Sequence, residues 1–329
     1  MDIKAVQEYL GKDWLAVRER INSALLSDIA LLNSTNESIL SHSGKQMRPM
    51  LALLIARACS AGQVSDSTIS FAAASELLHN ATLLHDDVAD GSLKRRGAPT
   101  IMSLMGPSVS VLLGDYWLVK AMDLIIDADD SIGETCVIKI FSKTLKDLAE
   151  GEMLQLQKAQ NGDANEEDYL RIIYSKTASL FEAACVAAAI SVGSSKAYIQ
   201  AARDYAVSLG IAFQIQDDIL DYSGTEAVGK PLGADILEQK ITMPLLGALK
   251  QVDSDVASGI IKKVEEITEH PEYREEILEF VKEHGGIDYA TSALSGYVEQ
   301  AIRALDVLPD SKAKEYLVEL AYYTGKRTK

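Results

Sequence analysis

The chain has 329 residues, room for one large domain or two ordinary ones. Apolar residues make up 47% of it, ample for a sizeable core, which excludes a disordered chain. A net charge of −16 argues against nucleic acid or an anionic membrane patch as the main partner, so any anionic ligand must be captured locally, by arginines or metal.

The N-terminus, MDIKAVQEYLGKDW, is charged throughout and has no apolar core of a secretion signal. MLALLIARACSAG (residues 50–62) is expected to be helical, with Pro49 in the first turn. ISFAAASELLHNATLLHDDV (69–88), VSVLLGDYWLVKAMDLIID (109–127) and ARDYAVSLGIAFQIQDDILDY (202–222) are long and rich in Ala and Leu, with almost no two-residue alternation. Several are apolar nearly all round, as helices inside a bundle are. NGDANEED (161–168) has the pattern of a helix-to-helix turn closing on an N-cap and an acidic first turn. The longest charge-free apolar run, AACVAAAISVG from Ala183, is too short to span a bilayer, so no transmembrane segment is expected. From about residue 250 the chain becomes more charged, and residues 250–329 are expected to form peripheral helices of the same domain. No linker separates domains. The expectation is one all-α domain over residues 1–329, with three free cysteines (Cys59, Cys136, Cys185) in a reducing, cytoplasmic setting.

The stretch LLHDDVADGSLKRRGAPT (83–100) puts Asp86, Asp87 and Asp90 at the end of an apolar helix, followed by Lys94, Arg95 and Arg96. In a helix Asp86 and Asp90 share one face a turn apart, roughly 5–6 Å from each other, where like charges repel. Gly91 reads as the helix stop, which leaves all three acids at the negative end of the helix dipole. FQIQDDILDYSG repeats the spacing at Asp217, Asp218 and Asp221. One such cluster could be solvated acids in an acidic protein. Two, each closing an apolar helix and each followed by a Gly/Pro loop carrying cations, point to function.

Divalent-metal binding wants this pattern. Oxygen ligands without a nearby His/Cys set favour Mg²⁺ or Mn²⁺ over Zn²⁺. Magnesium usually keeps waters and takes one or two carboxylates plus substrate phosphate oxygens. Arg95 and Arg96 then serve as bidentate partners of those phosphates. Two facing clusters gripping one diphosphate through bridging metals imply a reaction that releases diphosphate, with the metals as Lewis acids.

At these residues the chain resembles the trans-isoprenyl diphosphate synthases, the polyprenyl synthetase family, from about Gly44 to Lys240. The matching stretches are GKQMRP (44–49), HNATLLHDDVAD (79–90) with RRGAPT (95–100), LLGDYW (112–117), EGEMLQL (150–156), KTASLF (176–181), FQIQDDILD (213–221) and GKPLGADILEQKITMP (229–244). The resemblance implies a single large helical bundle around a central cavity, of the isoprenoid synthase type, working as a homodimer. It implies that Asp86, Asp90, Asp217 and Asp221, supported by Asp87 and Asp218, hold Mg²⁺ against an allylic diphosphate. Arg95, Lys176 and Lys240 would contact that diphosphate, with Lys230 nearby. Lys45, Arg48, His79 and Arg96 would hold the diphosphate of isopentenyl diphosphate, and Thr177 and Gln214 would line the reaction centre. Without the resemblance, His79 is better explained as a satisfied core residue, and Lys45 and Arg48 as surface cations. The chain departs from the pattern where a doubled glycine is Ser43-Gly44, a second cation is Gln46, and a glycine before the last lysine is Gln239. The last change could alter loop closure.

The implied product tail runs beside the first Asp-rich helix, gated by Ala81 and Thr82, where short-chain members carry bulky aromatics. No aromatic precedes Phe71, three turns down, and each turn rises about 5.4 Å, so a long-chain product of seven or more isoprene units is expected, for quinone side chains. The alternative is that both are ordinary packing residues and the tunnel closes elsewhere. Two rivals stand beside the synthase: a class I terpene cyclase, and a non-catalytic subunit of a heteromeric synthase. The intact second cluster and the second set of cations (Lys45, Arg48, Arg96) count against the first; both complete clusters count against the second.

Overall fold

Helices follow one another along nearly the whole chain, in a computed structural model that describes residues 2–42, 44–95, 97–130, 136–161, 165–223 and 232–326. In order they are α1 (Ile3–Leu10), α2 (Lys12–Ala24), α3 (Ala30–Ser41), α4 (Met47–Cys59), α5 (Asp66–Ala89), α6 (Ile101–Met105) and α7 (Pro107–Asp130). Then come α8 (Val137–Asn161), α9 (Glu166–Ile173), a π turn (Tyr174–Ala178), α10 (Ser179–Ser191) and α11 (Lys196–Ser223). The chain closes with α12 (Ala234–Leu237), α13 (Met243–Leu249), α14 (Ser254–Glu265), α15 (Tyr273–Glu283), α16 (Gly286–Ala304) and α17 (Lys312–Thr324). Among the described residues the only strands are β1 (Lys94–Arg95) and β2 (Ala98–Pro99), a two-rung antiparallel hairpin. The all-α expectation holds.

Contacts group the chain into two units. The first comprises Met1–Ser142, Leu180–Arg203 and Leu305–Val318. Its centre is α5, which packs along α7 and against α2 and α4. Ser65 starts α5 with a capping box: its hydroxyl accepts from the Thr68 N–H at 3.0 Å, and Thr68 Oγ1 accepts from the Ser65 N–H at 3.2 Å. From Ser67 to Leu78 every residue is buried, as an all-round apolar pattern requires. Truncating Leu77 or Leu78 to Ala there costs about 2–5 kcal/mol. Two buried polar side chains pair with each other: the Trp117 indole N–H donates to Asn36 Oδ1 at 2.8 Å, and Asn36 Nδ2 donates to the Leu25 carbonyl at 3.1 Å, joining α3 to α7. The three cysteines are free; burial pushes the Cys59 thiol up to about 11, against a lowering hydrogen bond from Ser194, which keeps it unreactive.

The second unit comprises Lys143–Ser179, Asp204–Ala304 and Glu319–Lys329. Its C-terminal helices bury a cluster that includes Tyr222, Ile236, Leu245, Ile260, Ile277 and Phe280. On α14 only Ile260 and Val264, one turn apart, are buried, so the charged sequence beyond residue 250 reflects one-sided helices. One element extends further than the sequence suggested. Residues Glu166–Ser191 form a single 26-residue helix, long and apolar enough by length and composition to cross a membrane, with 78% of its most apolar window buried inside the protein. A core helix of a soluble bundle meets the same test.

Candidate active site

The first acidic cluster sits where the sequence placed it, on the last turn of α5. Asp90 caps the helix, its N–H bonded to the Asp86 carbonyl at 2.8 Å. Gly91 follows at φ +61°, a conformation that costs glycine nothing, and the Ser92 N–H returns to the Asp87 carbonyl at 2.9 Å. Asp86 is half-buried and Asp90 exposed, whereas Asp87 is only 5% exposed. Asp87 Oδ1 accepts from Arg95 Nε at 2.8 Å, a pair made because the β1–β2 hairpin turns Arg95 back onto the helix end.

The second cluster lies on the last turns of α11. Asp217 and Asp221 are half-buried, and Asp218 is 2% exposed. Both Asp218 oxygens are engaged: Oδ2 accepts from the Tyr169 hydroxyl at 2.5 Å, and Oδ1 from Gln214 Nε2 at 3.0 Å. Burial pushes the Asp218 carboxyl well above the ordinary range and the nearby negative charge of Asp235 adds to this, while the two hydrogen bonds pull the other way. Burial likewise raises the Tyr169 phenol, with Asp218 adding to the effect, so Tyr169 stays a hydrogen-bond donor. Asp221 does a different job. Its carboxylate accepts the N–H groups of Ala234 and Asp235, each at 3.1 Å, and so caps the start of α12.

Lys176 and Thr177 lie on the π turn, a widening of the helix that is frequent at functional sites. Two glycines let neighbouring helices close on it. A Cβ on Gly151 of α8 would sit 2.6 Å from the Ser175 Cβ, and one on Gly210 of α11 would sit 2.6 Å from the Ala178 Cα. The close approach brings Thr177 Oγ1 to Gln214 Oε1, donating at 3.0 Å. Lys176 Nζ reaches Glu152 at 2.6 Å and Gln155 Oε1 at 2.9 Å. A cavity of about 140 Å³ is lined by Lys158, Lys176, Lys240, Gln214, Asp218 and Asp235, among others. Lys240 is ion-paired to Glu238 and lies 3.7 Å from Asp235. Gln239 takes φ +57°, the left-handed region in which a non-glycine residue costs roughly 1–2 kcal/mol, and its Nε2 donates to the Glu265 carbonyl at 2.6 Å. Glutamine thus stands in the left-handed region in the place of the pattern's glycine. Gln46 is also left-handed, at φ +51°, as the N-cap of α4.

In the first unit, Lys45 is exposed and Arg48 half-buried, its guanidinium 4.7 Å from the centre of the Phe181 ring. His79 is half-buried, seven residues before Asp86 on the same helix. Ala81 is buried and Thr82 half-buried, its hydroxyl donating to the His79 carbonyl at 2.8 Å. Arg96 and Lys230 lie outside the described residues. Sequence reasoning missed Tyr169, Lys158 and Asp235. No spacing marks them, because their role appears only when α9, α8 and α12 meet α11 and the cavity.

The donor chemistry fits a magnesium-type ion. Among the described residues no three His, Cys, Asp or Glu side chains converge into a cage. Magnesium characteristically takes one or two carboxylates and completes its shell with water and phosphate oxygens, and Asp86 with Asp90, one turn apart at a helix end, offers such a pair.

Comparison with known proteins agrees. The polyprenyl synthetase family pattern matches residues 29–281. Octaprenyl diphosphate synthase of Haemophilus influenzae is 37% identical over 99% of this chain and 98% of its own length. A decaprenyl diphosphate synthase from Rhodobacter capsulatus superposes with a TM-score of 0.91 at 36% identity, covering 100% of both chains. A polyprenyl synthase from Caulobacter crescentus, solved with calcium and isoprenyl diphosphate, gives 0.90 at 33% identity, covering 100% of this chain and 98% of that one. In that relative a divalent cation accompanies the diphosphate ligand. Fold and site thus define an all-α isoprenyl synthase. The chain belongs to the polyprenyl synthetase family and is a prenyltransferase.

Proposed function

We propose that the chain condenses an allylic diphosphate with isopentenyl diphosphate in a magnesium-dependent reaction, repeating the step to build a long all-trans polyprenyl diphosphate for a quinone side chain. The observation that carries this is the hydrogen bond from Thr177 to Gln214, with Gln214 lining one cavity together with Lys176 and Lys240. Asp86 and Asp90, and Asp217 and Asp221, would hold magnesium, which when bound would supply charge neutralisation and Lewis-acid assistance to the diphosphate leaving group. Lys176, Lys240, Arg95 and Lys230 bind that diphosphate; Lys45, Arg48, His79 and Arg96 bind that of isopentenyl diphosphate. Asp87 and Asp218 support the clusters through Arg95, and through Tyr169 and Gln214. The allylic C–O bond breaks, the isopentenyl double bond forms the new C–C bond, and a proton leaves to the departing diphosphate. Thr177 and Gln214 face the cation, and no side-chain nucleophile is needed. Mass analysis of products from farnesyl diphosphate, isopentenyl diphosphate and Mg²⁺ tests this, with polyprenyl diphosphates of seven or more isoprene units expected. Absence of isopentenyl incorporation by the purified chain would overturn it and leave the cyclase or silent-subunit alternatives.

Product length is set beside α5. Ala81 and Thr82 leave the first turn above Asp86 without an aromatic, and Phe71, tilted against Phe141 at 6.2 Å, is the first large ring below. The octaprenyl and decaprenyl products named for the relatives favour the same conclusion. Ala81→Phe is expected to shorten the products by several units in the same mass assay; unchanged lengths would remove Ala81 from the gate. The enzyme works as a cytoplasmic homodimer. Support comes from the three free thiols and from an exposed apolar stripe on α7, where Leu112, Val119 and Ile126 recur every seven residues at 69%, 55% and 41% exposure. Sedimentation of the purified chain at twice the monomer mass is the expected result.

A further inference from the structure

Within the second unit a chain of hydrogen bonds runs from Tyr169 through Asp218 and Gln214 to Thr177. Its direction follows from donor and acceptor chemistry. In its ionised form Asp218 only accepts, so the Gln214 side chain turns its Nε2 toward Asp218 Oδ1 and its Oε1 toward Thr177. The Thr177 hydroxyl must then donate to Gln214, which leaves the oxygen lone pairs as what Thr177 offers its other neighbours. A reaction centre that develops a carbocation is served by lone pairs and harmed by an N–H or O–H pointed at it. The orientation of the whole chain rests on the Asp218 carboxylate, and that group is held at its far oxygen by the buried Tyr169 hydroxyl at 2.5 Å. Tyr169 lines the same cavity as Gln214 and Asp218.

We infer that Tyr169 is a positioning residue of the reaction centre: anchored on α9, it fixes the Asp218 carboxylate so that Gln214 holds the Thr177 hydroxyl with its oxygen lone pairs toward the reacting carbon. This rests on the prenyl-transfer reaction proposed above, and it assigns Asp218 to orienting the amide. Tyr169 acts on the reaction centre through Asp218. Losing its hydroxyl frees one oxygen of the carboxylate, loosens the amide and blurs the direction of the Thr177 hydroxyl. Substrate capture by the lysines and arginines is untouched.

The test is Tyr169→Phe in the full chain, alone and combined with Thr177→Val or Thr177→Ser, with kcat and KM measured for both diphosphates. Tyr169→Phe is expected to lower kcat by about 10- to 100-fold, the range that misplaced reaction geometry produces, with both KM values held within about threefold. On the Thr177→Val background, which has no hydroxyl to orient, the same change is expected to cost less than about twofold; on Thr177→Ser, which keeps the hydroxyl, the full loss should return. An unchanged kcat, a raised KM at constant kcat, or equal losses on the Val and Ser backgrounds would each overturn the inference. Should Tyr169→Phe fail to fold by circular dichroism, Asp218→Asn, which keeps the shape but offers an N–H to the amide, must show the same dependence on Thr177 or the inference falls. Failure of the unaltered chain to elongate a labelled primer is a different result, and it removes the proposed reaction itself along with this role.

Discussion

Two aspartate clusters with identical spacing end up in different surroundings. At the end of α5 the middle acid, Asp87, is held by a cation, Arg95, delivered by a two-rung hairpin. At the end of α11 the middle acid, Asp218, is held by two neutral donors, Tyr169 and Gln214, at complete burial. The outer acids differ as well: Asp90 terminates its own helix, whereas Asp221 starts another. A shared motif therefore fixes which oxygens are offered, and the packing of the middle residue fixes the electrostatics behind them. The α5 cluster balances charge with charge; the α11 cluster balances charge with hydrogen bonds, and couples it to the residues proposed to face the cation.

The largest expected effect ignores that difference. Asp86→Ala and Asp217→Ala each remove an outer carboxylate of the proposed magnesium sites and should each lower kcat on the order of 10³-fold in steady-state assays, since a Lewis acid contributes several kcal/mol. A large loss at only one of them would break the equivalence of the clusters. The middle acids should then separate in stability. Asp218→Ala leaves a buried donor, Tyr169, and a half-buried one, Gln214, without an acceptor and is expected to cost about 2 kcal/mol in urea unfolding. Asp87→Ala leaves Arg95, whose side chain is 37% exposed and regains water, and should cost about 1 kcal/mol or less. The smallest effect is in pH. Asp218 has its carboxyl raised in the fold, so on acidification the folded chain takes up that proton before the unfolded chain does. Stability of the metal-free wild type should therefore rise relative to Asp218→Asn as pH falls toward the ordinary aspartate value of about 3.9, and no further below it. A pH-independent difference would show that hydrogen bonds from Tyr169 and Gln214 fully offset burial, and a reversed slope that they outweigh it.

Much of this was legible in the residues. Helix ends were written in local chemistry: Gly91 stops α5 at φ +61°, and Asn165 accepts from the Asp168 N–H at 2.8 Å to start α9 ahead of its acidic first turn. The clusters declared themselves by like charges repeated at the same spacing on two helix ends. What stayed hidden depends on contacts distant in sequence or on backbone shifts that leave no period. Tyr169 meets Asp218 across 49 residues, one tyrosine among 13 with nothing to single it out. The π turn at Tyr174–Ala178 displaces Lys176 and Thr177 by a slip in backbone bonding that an apolar repeat does not encode. The length of the Glu166–Ser191 helix was concealed because charges at its start broke the apolar run while its backbone continued.

The cap that Asp221 places on α12 has a mechanical corollary. Two hydrogen bonds from backbone N–H groups tie this carboxylate to the first turn of a four-residue helix, and the Lys240 N–H donates in turn to the Asp235 carbonyl at 2.9 Å. Asp221 and the backbone of Lys240 are thereby joined through one short helix, so a displacement of the acid would be felt at the lysine.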